Sequence, residues 1–109
     1  MSAFVAYTSV YEKRVGRTLS PESRQAIELF IAERPQMHPI VAGTGGVRKA
    51  RWALPGKGKR GGARVIYFYR SSSNVVYFLD IYAKHEKADL SAADKKALKA
   101  IVDRLGGVQ

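Results

Sequence analysis

The 109-residue sequence contains no cysteine. This removes thiol nucleophiles, Cys-ligated zinc and disulfide frameworks from consideration, and fits a reducing compartment. Its two histidines, His38 and His85, are far apart in the chain, too thin a ligand supply for a metal site, so neither metal nor cofactor is expected. No apolar run approaches the ~18 residues that a membrane span requires. The N-terminus, MSAFVAYTSVYEKR, has no basic region before its apolar residues and no small-residue cleavage site. A cytoplasmic location with no membrane partner is expected. The most informative absence is of acid. Between Glu33 and Asp80 there is no Asp or Glu, yet residues 34–79 hold nine Lys and Arg.

The whole chain carries 19 basic and 9 acidic residues, a net charge of +10, so that window accounts for +9 and the rest for +1. An isoelectric point near 10.2 and a positive field confined to one stretch point to a polyanion, with an acidic protein as the second choice. At 46% hydrophobic and 26% charged residues the composition is that of an ordinary globular chain. Its length fits one domain over residues 1–109 that buries enough surface to need no staple.

Residues 3–10, AFVAYTSV, read as a short first strand leading into a loop or a brief helical turn around Tyr11–Gly16. A helix follows, with Ser20 as N-cap, Pro21 in the first helical position and Ile27, Phe30 and Ile31 along one face. Pro35 closes it. From Val47 the pattern alternates, placing Lys49 and Arg51 on one strand face and Ala50, Trp52 and Leu54 on the other. Pro55–Gly62 reads as a loop. Residues 63–70 and 75–82 read as strands around a polar turn at Ser71–Asn74. Ser91 and Asp94 form a capping box for a last helix whose face is Leu98, Ile101, Val102 and Leu105, ended by Gly106-Gly107. The expected fold is α+β, an antiparallel sheet of about four strands with helices packed on one face and a C-terminal helix.

Gly56-Lys57-Gly58-Lys59-Arg60-Gly61 matches GxGxxG in form. A dinucleotide site needs a strand before it and a helix after it, whereas a strand follows here; the Walker pattern fails as well. Lys57, Lys59 and Arg60 are expected to grip phosphates without sequence preference, and Arg48, His85 and Lys87 to add RNA contacts. Two charges on one strand face, Lys49 and Arg51, are ordinarily a solvated face. Arg64 raises the functional reading, because it opens the next strand with no acid in the window to pair with. A buried unpaired charge is costly, and a guanidinium fork suits phosphate. With Tyr82 and Lys84 at the end of the third strand, Lys49, Arg51 and Arg64 form a set able to cleave RNA without metal. The 2′-hydroxyl attacks the adjacent phosphate, a base takes its proton, cations stabilise the phosphorane and an acid protonates the leaving oxygen. Base and acid are among Lys49, Tyr82, Lys84 and His85.

In GTGGVRKARWALPGKGKRGGARVIYFY and IYAKHEKADLSAADKKAL the sequence resembles the RelE/HigB group of bacterial type II toxin–antitoxin toxins, its HigB branch in particular. The resemblance implies a small RelE-like domain acting as a ribosome-dependent mRNA endoribonuclease. It implies a cognate, DNA-binding antitoxin as partner, with operator DNA reached only through the toxin–antitoxin complex. By the same resemblance Lys49 and Arg51 match the basic pair before the loop, Arg64 the phosphate-stabilising arginine and Lys84 the basic end of the last strand. His85 stands where other members carry Arg or Asn. The competing readings are a gyrase inhibitor of the ParE type, which shares the fold, and a non-catalytic RNA-binding module.

Overall fold

The computed structural model describes residues 2–54 and 58–107, and for residues 58–61 the backbone alone. The elements run β1 (Phe4–Tyr7), α1 (Ser9–Thr18), α2 (Pro21–Glu33), β2 (Arg48–Leu54), β3 (Gly58–Arg70), β4 (Val75–Ala83) and α3 (Ala92–Arg104). The strands form one sheet in the order β1-β4-β3-β2.

The N-terminal region departs from the sequence expectation. Instead of a loop or single turn, α1 is a ten-residue helix. Thr8 caps it, its hydroxyl accepting from the Tyr11 N–H at 3.1 Å. Tyr11 and Val15, one turn apart, bury themselves against the sheet with Leu19. Weak helix formers are held here by tertiary packing rather than by propensity. The Ser20 cap and the Ser91–Asp94 capping box form as expected.

The sheet is mixed, not antiparallel throughout. β2, β3 and β4 make the expected antiparallel meander, but β1 joins β4 in parallel, Phe4 opposite Val75. The intervening chain carries it back to that edge. Nor do the helices share one face. Tyr11, Val15, Ile27 and Ile31 of α1 and α2 pack with Val65, Tyr67 and Phe78, while Leu98 and Val102 of α3 pack with Ile66, Phe68 and Leu79. The alternation of β3 residues between the two clusters puts α3 on the opposite face. This explains why β3 and β4 are apolar on both sides. Removing a ring such as Phe78, fully buried in the first cluster, would cost about 3–5 kcal/mol.

One irregularity in β4 decides which of its side chains share a face. The register shifts, Ile66 lying opposite Asp80 but Tyr67 opposite Phe78, so Leu79 is an extra residue. Such a bulge leaves backbone groups without ladder partners. Here the Thr8 hydroxyl donates to the Leu79 carbonyl at 2.7 Å, and the Asp80 carboxylate accepts from the Ile81 N–H at 2.7 Å. Arg14 holds that carboxylate through both oxygens, at 2.9 and 3.0 Å. Beyond the bulge the parity of β4 reverses: Tyr77 faces α3 before it and Tyr82 after it, with the inserted Leu79 on the same side.

Candidate functional site

The register assembles the site. Arg51 of β2 lies opposite Arg64 of β3, and Arg64 lies opposite Tyr82 of β4. Directly opposed residues share a face about 5 Å apart, so the three form a row about 10 Å long on the face that carries α3. Lys49 is opposite Ile66, one pleat along the same face. Lys84 follows β4 in a turn, its N–H bonding the Gly62 carbonyl at 3.0 Å and extending the ladder past the row.

Arg64 is the centre of this row. It is 3% exposed, and its only partner among the described residues is the Ala63 carbonyl at 3.3 Å. Among the described residues no carboxylate pairs with it. A charge so withdrawn from water, without a counter-charge, costs several kcal/mol, and an arriving anion offsets that cost. Tyr82 beside it is equally buried, and its hydroxyl has no hydrogen-bond partner among the described residues. Burial raises its phenol pKa above the ordinary value, the Asp89 charge adding to this and Arg64 opposing it. The hydroxyl therefore stays protonated at neutral pH, able to donate. Arg51 is exposed, at the open end of the row.

The remaining expected residues divide. Lys87 sits with its Nζ 5.0 Å over the Tyr82 ring while donating to Asp94 Oδ2 at 3.1 Å. His85 is exposed in the turn beyond β4. Arg48 is on the other face: it pairs with Tyr67, and its guanidinium donates to the carbonyls of His38 at 2.6 Å and Gln36 at 3.1 Å. The structure thus engages Arg48 in tying down the chain before β2 and does not bring it to the row. The glycine-rich stretch is shorter as a loop than expected. β3 begins at Gly58, paired with Leu54, so only residues 55–57 lie between the strands. Lys57 lies outside the described residues, as do the side chains of Lys59 and Arg60. Gly62 has a specific reason to be glycine: a Cβ there would sit 2.3 Å from the Trp52 carbonyl oxygen. Close backbone approach, not positive φ, demands it.

Sequence reasoning missed the acids that shape the site. Asp89 pairs with Lys49 at 3.2 Å and Asp94 with Lys87. Both lie just beyond the acid-free window, and only the chain reversal after β4 returns them to it. A cleft of about 210 Å³ beside Tyr82 is lined by Arg14, Arg17, Ile81, Glu86 and Lys87. A more apolar groove of about 280 Å³ between α1 and α3 reaches neither Arg51 nor Arg64. His38 is structural, its Nδ1 3.3 Å from the Tyr67 hydroxyl, with its pKa lowered by burial and by Arg48. Among the described residues no group of three His, Asp or Glu gathers at metal-binding spacing.

The model of the RelE toxin of the RelE/RelB toxin–antitoxin system matches residues 31–109, most of the chain and every residue of the row. The protein belongs to the RelE toxin family. Its fold agrees with that of a double Arg-to-Ala mutant of Escherichia coli RelE in the free state, at 20% identity and a TM-score of 0.63, covering 93% of this chain and 99% of the other. The RelBE2 toxin–antitoxin complex of Mycobacterium tuberculosis matches at 17% identity and a TM-score of 0.57, over 76% and 99% of the two chains. The intact E. coli RelBE complex matches at 16% identity and 0.56, over 73% and 94%. At such identities the likeness to these structures speaks for the fold. This RelE-family chain has no helix among its described residues long and apolar enough to cross a membrane.

Proposed function

We propose that the chain is a single-domain toxin that cuts mRNA on the ribosome as a metal-independent endoribonuclease, in the cytoplasm, and that it lies toward the HigB branch of its family. The observation that carries this reading is Arg64, 3% exposed and without a carboxylate partner among the described residues, set between Arg51 and Tyr82 in one row. A scissile phosphate seated on that row meets the Arg64 guanidinium from below and Arg51 from the open side. Both stabilise the charge that grows on the phosphorane. Tyr82 is suited to protonate the departing oxygen and Lys84 to take the 2′-hydroxyl proton, while Lys49, paired with Asp89, adds positive charge beside the phosphate. Lys57, Lys59, Arg60, His85 and Lys87 serve as phosphate contacts along the RNA.

The partner that restrains this activity is a cognate antitoxin. The relatives from E. coli and M. tuberculosis occur in complexes with theirs, and a chain of charge +10 favours an acidic protein. Operator DNA is bound through that antitoxin.

The test is primer extension on cellular mRNA after brief induction, with and without the antitoxin. Cuts at defined codon positions are expected, absent for Arg64→Ala with an unchanged fold by circular dichroism. Intact mRNA with broken DNA would transfer the protein to the gyrase-inhibiting class. Salt-sensitive RNA binding without toxicity would make it a binding module.

A further inference from the structure

After β4 the chain turns at Lys84–Glu86 and crosses the Arg64 face of the sheet before α3 begins. Three anchors define the crossing. Lys87 lies over the Tyr82 ring of β4 and is held there by Asp94. Asp94 is itself fixed as half of the capping box, accepting from the Ser91 N–H at 2.9 Å. Leu90 is buried with Ile66 and Phe68 of β3. Between them Asp89 reaches β2, where its Oδ1 accepts from Lys49 Nζ at 3.2 Å and from the Leu90 N–H at 2.8 Å.

The Lys49–Asp89 pair is a poor device for stability. Asp89's side chain is 63% exposed although that of Lys49 is 17% exposed, and an ion pair with one partner in water contributes little. It is also a poor device for affinity, since it places a negative charge beside a site for an anion. What it supplies is location. A lysine carries its charge on a flexible four-carbon stem, whereas Asp89 is fixed by the buried residue next to it. We propose that Asp89 is a positioning residue that holds the Lys49 ammonium beside the Arg51–Arg64–Tyr82 row, ready for the phosphate. The inference rests on reading that row as the phosphate site.

Two roles for Asp89 give opposite signs. If it merely competes with phosphate for Lys49, Asp89→Asn tightens RNA binding and speeds cleavage. If it positions Lys49, cleavage slows although a repelling charge has gone. The experiment compares the full chain with Asp89→Asn, Asp89→Glu and, as a charge control at the far end of α3, Asp103→Asn, whose carboxylate pairs with Lys99. Single-turnover cleavage of mRNA on programmed ribosomes is expected to show kcat lowered about tenfold in Asp89→Asn, with KM changed less than about twofold. Asp89→Glu should recover most of the rate, Asp103→Asn should match wild type, and thermal midpoints should not move. Asp89→Asn cleaving as fast as wild type or faster, or changing KM alone, overturns the proposal.

If the wild-type chain does not cleave at all, the reading of the row has failed, and the Lys49 ammonium resonance in ¹⁵N-labelled protein decides the positioning claim separately. A Lys49 signal resolved in wild type and Asp103→Asn but averaged with the other lysines in Asp89→Asn supports it. The same signal in all three overturns it.

Discussion

Tyr82→Phe separates function from stability because the two are expected to move in opposite directions. The substitution removes one oxygen from a residue that is 3% exposed and leaves the ring to pack with Ile66, Leu79 and Leu90. In the folded protein that hydroxyl has no hydrogen-bond partner among the described residues, whereas in the unfolded chain water solvates it. Burying an unsatisfied hydroxyl costs about 1–3 kcal/mol. Deleting it should therefore stabilise the fold by about 1 kcal/mol, which for a chain of this size raises the thermal midpoint by roughly 4 °C. If the same hydroxyl protonates the leaving oxygen or stabilises the phosphorane, its loss should slow single-turnover cleavage at saturating ribosomes about a hundredfold, near the low end for general acid catalysis. Scanning calorimetry and rapid-quench cleavage on one preparation supply both numbers. A variant that is less stable than wild type would show that the hydroxyl has a structural partner in the fold. A variant that is more stable but cuts at the wild-type rate would remove Tyr82 from the chemistry.

Gly62→Ala should destabilise by about 1–3 kcal/mol in urea melts, because its Cβ meets the Trp52 carbonyl oxygen at 2.3 Å and the Ala53 Cα at 3.3 Å, and backbone cannot move aside without loosening the β2–β3 pairing. Arg48→Ala should lower stability by about 1 kcal/mol by leaving the half-buried His38 carbonyl without its donor, the exposed Gln36 carbonyl turning to water, while leaving saturated cleavage unchanged; a raised KM with unchanged stability would restore the RNA-contact role expected from sequence. High pH should weaken the fold through Tyr67, whose phenol burial pushes up to about 12 against the opposing pull of Arg48. The unfolded phenol ionises near 10, so the folded state keeps a proton that the unfolded state has lost. That stability is fully present below about pH 10 and is lost as pH rises toward 12, by at most about 3 kcal/mol. Urea midpoints at pH 9 and 11 for wild type and Tyr67→Phe measure it, and equal pH slopes in the two would refute it.

The parts of this fold that were legible in sequence are those where local rules and tertiary packing agree. The Ser20 and Ser91 caps announce α2 and α3 because a side-chain oxygen before an apolar stripe has few other uses. β2 to β4 announce themselves by composition, and their antiparallel order follows from short connections. α1 did not, because its sequence, SVYEKRVGRT, carries β-branched residues and a glycine. What makes it helical is the burial of Tyr11 and Val15 on a sheet face that a local reading does not include. The parallel pairing of β1 was hidden for a related reason. Nothing in Phe4–Tyr7 itself states which edge it joins.

The site shows the same division more sharply. Lys49, Arg51 and Arg64 share a face by simple alternation across a hairpin, so composition and period two were enough to group them. Tyr82 is different. Counting alternately from Tyr77 along β4 sends residue 82 to the α1 and α2 face, away from Arg64. It joins the row only because Leu79 is inserted as a bulge. That bulge is tolerated because Thr8, while capping α1, donates to the Leu79 carbonyl, and because Asp80, clamped by Arg14, accepts the Ile81 N–H. The first acid after the acid-free window thus serves the site without touching it. It fixes the kink that turns the tyrosine toward the arginine. Asp80 is set 66 residues from Arg14 in sequence, and no local pattern links a helix cap, a distant arginine and a strand irregularity. The grouping of cations is a property of strand chemistry, while the aim of the tyrosine is a property of the assembled fold.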